Sequence, residues 1–131
     1  MLVKKVNAVR DKSFGFAVRV INLYKFLQTN KHEFTLSKQI LKSGTSVGAC
    51  IRESENAESR ADFIHKLGLA QKEVNETLYW LELLNACKYI SEDQFKSLNS
   101  DAVEIIKLLT SVIISLKSEN KNKKPTSTTN F

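Results

Sequence analysis

Apolar residues recur along the chain at the spacing of amphipathic helices. Four stretches have this periodicity, over residues 14–29, 36–57, from about 60 to about 87, and from about 91 to 117. Apolar positions three or four residues apart lie on one side of a helix. The fourth stretch is the most regular, with a heptad seam of Phe95, Leu98, Ala102, Ile105, Leu109, Val112 and Leu116. Long helices with short connections predict an all-α fold, an antiparallel up-down four-helix bundle.

Polar residues mark the starts of two of these helices. The stretch Ser59–Asp62 resembles a capping box with Asp where Glu is usual, which predicts that the third helix begins there. The stretch Ser91–Gln94 is a full capping box and opens the fourth helix. The polar residues 30–33 are interpreted as the loop between the first two helices.

The helical periodicity also divides the chain. Residues 13–117 are assigned to the bundle. Residues 118–131 lack an apolar face and are predicted to be a disordered basic tail. Residues 1–12 are assigned to a basic N-terminal arm. An extension of the first helix through that segment would use Leu2, Val6 and Val9 as its apolar positions.

Composition limits the class of protein. With 131 residues, of which 42% are hydrophobic, the chain can bury one ordinary core. One Pro and four Gly argue against an all-β sandwich, which needs many turn residues. No apolar run is long enough to span a membrane, and no signal peptide is expected because polar residues interrupt the first apolar stretch. The two cysteines form no C-x-x-C pair, so a reducing cytoplasm is the expected location.

Charge is distributed unevenly along the chain, whose net charge is +6. Residues 13–52 contain six basic residues and one acidic residue, whereas residues 53–116 contain six basic and eleven acidic residues. The first half and both ends are therefore basic, and the second half is acidic. Such asymmetry fits an anionic partner or a head-to-tail contact between subunits. It also fits two solvated helix faces of opposite sign.

The second and third helical stretches closely resemble the bacterial four helix bundle protein family, also called the 23S rRNA intervening-sequence protein family. The segments that carry the resemblance are SGTSVGA at 43–49, IRE at 51–53, AESRADFIHKL at 57–67, KEVNET at 72–77 and YWLELL at 79–84. The segments FAVR at 16–19 and LSKQ at 36–39 fit the same pattern. The similarity covers roughly residues 13–118.

The resemblance implies a fold and a set of partners. Members of the family are antiparallel four-helix bundles that assemble into ring-shaped homopentamers, and some are encoded inside intervening sequences of large-subunit rRNA genes. A related branch serves diversity-generating retroelements, where the accessory protein binds nucleic acid and the reverse transcriptase. A homopentamer, RNA or DNA, and a protein partner such as a reverse transcriptase are therefore the expectations for this chain.

One position departs from the family pattern. The family usually has Asn where this chain has Cys50. A thiol is a weak hydrogen-bond donor, so Cys50 is a poor substitute for an Asn that makes a buried or inter-subunit hydrogen bond.

Gly44 and Gly48 form a G-x-x-x-G pair within the second helix. Each glycine costs a helix interior roughly 1 kcal/mol relative to alanine, so another contact must compensate. A close helix crossing is the favoured interpretation, and a kink or a ligand-facing notch is the alternative.

The sequence gives little support to catalysis. Asp62 and His65, with Glu58 one turn earlier, can share a helix face, but a di-iron site needs such a pair on two helices. Neither Cys50 nor Cys87 has a His placed by the sequence to activate it. A metal-dependent enzyme built on Asp62 and His65 is the weakest hypothesis. The chain is predicted not to be an enzyme, and no cofactor or metal is expected.

Some apolar residues lie off the predicted core stripes. They are predicted to contact another subunit, since a helix with two apolar faces needs two neighbours. These candidate interface residues are Tyr79, Trp80, Leu83, Ile106 and Ile113. Stacking of a nucleic-acid base on Trp80 or Tyr79 is the alternative.

Basic residues of the first two helices are the candidate contacts to nucleic-acid phosphates. They are Arg19, Lys25, Lys38, Lys42 and Arg52. Repeated in an oligomer, a few such contacts per subunit give a steeply salt-dependent affinity. The resulting hypothesis is a non-enzymatic, oligomeric module that binds nucleic acid, with RNA as the favoured ligand, or a nucleoprotein scaffold. The alternative is a protein-interaction scaffold whose basic half binds an acidic partner.

Overall fold

Each of the four apolar stretches forms a helix. The computed structural model describes the backbone of residues 1–123 and the side chains of residues 1–119. Helix α1 spans Leu2–Asn30, α2 spans Leu36–Ser54, α3 spans Arg60–Ala86 and α4 spans Glu92–Lys123. Each helix packs against the next one along the chain, and α1 closes against α4. This order with short connections is the antiparallel four-helix bundle that the sequence predicts.

The core consists of aliphatic side chains from all four helices. The heptad positions of α4 from Leu98 to Leu116 are buried, and Phe95 packs partly buried against the core. Leu67 and Leu81 of α3 are also buried. Removing one such side chain from water stabilises a fold by about 1.5–3 kcal/mol, so this seam holds α4 against its neighbours.

Capping boxes open α3 and α4. The Ser91 hydroxyl accepts a hydrogen bond from the Gln94 amide at 3.1 Å, and Gln94 Oε1 accepts from the Ser91 amide at 2.8 Å. Ser59 Oγ accepts from the Asp62 amide at 3.0 Å. The Asp62 carboxylate accepts from the Glu58 amide at 3.1 Å, one residue before the position that a standard box uses.

The start of α2 is capped by a carboxylate that the sequence assigned only to a loop. Glu33 is buried, and its oxygens accept hydrogen bonds from the amides of Leu36 at 3.0 Å and Ser37 at 2.7 Å. Its negative charge lies against the amides that the first turn leaves without helical partners. Glu33 therefore fixes the α1–α2 connection to the bundle.

Residues 1–12 do not form a separate arm, which corrects the sequence prediction. Helix α1 begins at Leu2, and Val9 is 2% exposed in the core. Lys5 Nζ donates to Ser111 Oγ of α4 at 2.8 Å. The apolar positions of this segment continue the helical spacing of α1, so a helix through it places Val9 in the core. At the other end α4 extends to Lys123, past the predicted boundary at residue 117. Residues 124–131 of the predicted tail lie outside the described residues.

The two glycines of α2 lie against α1 and differ in how closely they approach it. A Cβ at residue 44 would lie 2.8 Å from both methyl carbons of Val20, which is closer than carbon atoms can pack. A Cβ at residue 48 would lie 3.5 Å from Ser13 Oγ, an ordinary contact. Of the two glycines, Gly44 is therefore the one that the close approach of α1 and α2 requires.

Alanine substitutions at the two glycines are expected to have opposite effects. Gly44→Ala forces Val20 or the helices apart, and overpacking of this kind costs about 1–3 kcal/mol, which exceeds the gain in helix propensity. Gly48→Ala keeps its contacts and gains up to about 1 kcal/mol of propensity. Urea unfolding measures both changes. A Gly44→Ala protein at least as stable as the unsubstituted protein would contradict the close contact.

Candidate nucleic-acid interface

Three of the candidate phosphate contacts lie on one exposed side of α2. Lys38, Lys42 and Arg52 are exposed, whereas Ile40 and Ile51 of the same helix are buried. The three cations alternate with the buried residues at helical spacing, so they point away from the core. We call these three residues the α2 basic face.

Lys25 of α1 is exposed and lies at about the same height along the bundle as Lys38 of α2. The Val20–Gly44 contact sets the register of the two antiparallel helices. Lys25 follows Val20 by five residues, and Lys38 precedes Gly44 by six. At 1.5 Å per residue, both lysines lie about 8 Å along the bundle from that contact. Lys25 therefore extends the basic surface onto the neighbouring helix.

The cations of this surface have no ion pairs within the part of the chain whose side chains are described. No carboxylate oxygen there lies within 4.0 Å of the charged nitrogens of Lys25, Lys38, Lys42 or Arg52. Their charges remain available to an anion in solution.

Arg19, the remaining candidate, is engaged inside the bundle. Its guanidinium donates to Asp101 Oδ2 at 2.6 Å and to Ser97 Oγ at 2.8 Å, both on α4. The pair is partly exposed, so it adds little stability. It does neutralise the charge of Arg19. Arg19 is therefore not grouped with the unpaired cations of the α2 basic face.

An acidic residue of α3 lies close to Lys42. Burial raises the pKa of Glu73 and the neighbouring Glu76 raises it further, whereas the positive charge of Lys42 opposes the shift. Lys42 therefore attracts Glu73 without pairing with it at short range.

Tyr79 and Leu83 lie on the outer side of α3, and Trp80 packs partly buried against the edge of the core. Tyr79 is 54% exposed, and its ring meets that of Trp80 edge to face with centroids 5.1 Å apart. Trp80 and Leu83 are half-buried, and the Trp80 indole donates to Glu76 Oε2 at 3.3 Å. The single chain leaves this aromatic surface partly in contact with water.

The two candidate interface isoleucines of α4 pack within the single chain. Ile113 is 9% exposed and belongs to the core, and Ile106 packs partly buried against the core. The Gln71 amide of α3 donates to Thr110 of α4 at 2.8 Å, on the same flank. Ile113 is thus buried within the single chain, and Ile106 remains partly exposed.

The residues considered for a metal or a nucleophile are not gathered into a site. Asp62 is engaged in capping α3, and His65 is exposed. The described residues contain no group of three His, Cys, Asp or Glu able to hold a metal ion. Burial raises the pKa of the Cys50 thiol, and Glu53 and Glu73 act in the same direction. Cys50 is therefore a poor nucleophile near neutral pH.

The sequence prediction missed an exposed apolar stripe on α1. Phe14, Val18 and Ile21 are 61%, 45% and 38% exposed. Their spacing of four and three residues is itself helical, but the parallel stripe through Phe16 and Val20 supplies the core. Phe14 also lies under Arg52 of the α2 basic face, with the guanidinium carbon 6.0 Å from the ring centroid.

The profile of the family described as 23S rRNA-intervening sequence protein matches residues 5–111. The chain belongs to this family. A crystal structure from Bacteroides thetaiotaomicron VPI-5482, described as a protein with unknown function from the S23 ribosomal protein family, is 61% identical and superposes with a TM-score of 0.82. The match covers 83% of this chain and 97% of that chain. No curated protein matches.

These relationships confirm the fold and the family of this chain. Neither description names an enzymatic reaction. Across the described part of this family member, no helix is both long and apolar enough to cross a bilayer.

The two cysteines are expected to differ in reactivity. Cys50 is half-buried with a raised thiol pKa, whereas Cys87 is exposed at the end of α3. In single-cysteine variants made by Cys50→Ser or Cys87→Ser, a maleimide should label Cys87 at least about fivefold faster near pH 7.5, since the thiolate reacts. Labelling of both variants in urea, where both thiols are exposed, gives the reference rates. Equal labelling rates of the two folded variants would contradict this placement.

Proposed function

We propose that this chain is a non-enzymatic nucleic-acid-binding module that acts as an oligomer and contacts the phosphates of RNA. The observation that carries the proposal is the α2 basic face, extended by Lys25, with its cations free of ion pairs among the described side chains. Exposed cations on one rigid surface suit a ligand that carries a regular row of negative charges.

The arrangement favours recognition of charge and shape over recognition of base sequence. Lysine contacts phosphates as a point charge, and the cations lie along α2 over Lys38–Arg52, a distance of about 21 Å at 1.5 Å per residue. Phosphate contacts set affinity and position but carry no sequence information directly. The proposal therefore concerns structured RNA as a class.

Oligomerisation is supported by the apolar side chains that one chain leaves exposed. Val18 and Ile21 on α1 and Tyr79 on α3 lie on different sides of the bundle. An exposed apolar surface usually marks a contact with another molecule. Two different apolar surfaces on one chain suit a head-to-tail assembly, which closes into a ring when the rotation permits. Each ring would repeat the α2 basic face once per subunit.

The salt dependence of RNA binding tests this function. Binding of a structured RNA and of duplex DNA should weaken steeply with salt, with a slope of about 0.9 in log K per phosphate contact for the duplex. The triple variant Lys38→Glu, Lys42→Glu and Arg52→Glu should lose at least about tenfold in affinity and have a shallower slope. Fluorescence anisotropy at several salt concentrations measures both quantities.

The matched control changes the same number of charges on another helix. Lys96, Lys107 and Lys117 are exposed on α4, and their replacement by Glu gives the same net charge as the triple variant. This control should retain most of the affinity. Equal losses in the two triple variants would show that net charge alone governs binding. Absence of binding by the unsubstituted protein near physiological salt would refute the proposed function.

A protein-interaction scaffold is the second candidate, and the apolar stripe of α1 favours it. Phe14, Val18 and Ile21 lie beside the cations of α2, and an acidic partner with an apolar anchor would complement such a surface. Failure of the protein to bind nucleic acid would leave this candidate as the better account.

The oligomer is expected to depend on Tyr79. Tyr79→Glu places a charge in the aromatic surface of α3 and should lower the molar mass measured by light scattering after gel filtration. The side chain is half exposed in the single chain, so the helical circular dichroism should be unchanged. Lys72→Glu, an exposed position on the same helix, is the control and should leave the mass unchanged. A molar mass of Tyr79→Glu equal to that of the unsubstituted protein would exclude Tyr79 from the interface.

A further inference from the structure

The outer surfaces of α1 and α2 enclose a groove of about 260 Å³ beside the α2 basic face. Small side chains line it, among them Ala17 on α1 and Gly48 and Ala49 on α2. Phe14 and Arg52 line the same groove. The groove exists because the close approach at Gly44 is followed, one turn later, by residues too small to fill the space between the helices.

Phe14 presents an aromatic ring in this groove that the fold of the single chain does not use. The residue is 61% exposed and does not belong to the core. The guanidinium of Arg52 lies over the ring at 6.0 Å from its centroid. Arg52 has no carboxylate within 4.0 Å among the described side chains, whereas Arg10, which also lines the groove, lies 3.5 Å from carboxylate oxygens of both Asp11 and Glu55. The groove therefore combines an apolar surface with unsatisfied positive charge.

We propose that this groove binds an unpaired nucleobase, which stacks on Phe14 while Arg52 contacts an adjoining phosphate. The inference rests on the proposed function and specifies its ligand as RNA with single-stranded nucleotides. Stacking on an aromatic side chain combined with cations that follow the backbone is the common way in which proteins bind single strands. Arginine packed on the ring holds a cation beside the stacked base.

The size and charge of the groove favour a base over other ligands. Its volume lies below the range of about 300–1,000 Å³ that is usual for pockets enclosing a whole small molecule, so it accepts one flat ring with the remainder of the ligand outside. A nucleotide strand supplies that ring together with a negative charge on each side. A duplex buries its base faces in stacking and offers phosphates and base edges but no free ring face.

The experiment compares the unsubstituted protein with Phe14→Leu and Phe14→Trp on three fluorescent probes of equal length. The probes are an unstructured RNA, a duplex, and a strand of abasic nucleotides, and anisotropy is measured at about 150 mM salt. Phe14→Leu should lose at least about fivefold in affinity for the unstructured RNA and change less than about twofold on the other two probes. Phe14→Trp should retain the affinity for the RNA. Ile114→Leu, at an apolar residue of α4 that is 62% exposed, is the matched control and should change none of the affinities.

Three results would overturn the inference. The first is an equal affinity of Phe14→Leu and the unsubstituted protein for the unstructured RNA. The second is an equal loss of affinity for all three probes, which would show that Phe14 maintains the structure of the protein and does not stack on a base. The third is a lower molar mass of Phe14→Leu in light scattering, which would assign the groove to a second copy of the chain.

The proposed function has a separate test. If the duplex binds and the charge reversals on the α2 basic face abolish its binding, the proposed function stands even when Phe14→Leu has no effect. If neither the RNA nor the duplex binds, both proposals are refuted.

Discussion

The contact between Gly44 of α2 and Val20 of α1 is the constraint on which the remaining surface depends. A Cβ at residue 44 would lie 2.8 Å from the Val20 methyl carbons, so the two helices approach at the distance that a glycine permits. That approach fixes the register of α1 against α2. The register in turn brings Lys25 level with Lys38 and places Phe14 under Arg52. A change in the packing of two buried positions would therefore alter which charges and rings lie together outside.

Ion pairing separates basic residues that look alike in the sequence. Arg19 donates to Asp101 and Ser97 of α4, so its charge is used within the bundle. The cations of the α2 basic face have no ion pair among the described side chains. A count of lysines and arginines along the chain does not reveal this difference. The interhelical contacts do.

Much of the fold could be predicted because its determinants are local. The heptad of α4, the serines that cap α3 and α4, and the short polar connections each follow from neighbouring residues. Glu33 was missed because a carboxylate that caps a helix from within the preceding loop has no fixed spacing rule. Ile106 and Ile113 were assigned to a subunit interface because periodicity shows that a second stripe exists and not which neighbour covers it. The packing of α3 on α4 supplies that neighbour.

The sequence by itself determined the number of helices, their apolar faces, the caps of α3 and α4, and the family. These features depend on residues within a few turns of one another, or on a pattern that the whole family carries. The tertiary structure alone decided that residues 2–12 continue α1, that Arg19 is paired, and that Phe14 is left exposed beside Arg52. Each of these depends on two segments distant in sequence meeting at a given register. The register of α1 against α2 is set by packing at Gly44, which no spacing within a single helix specifies.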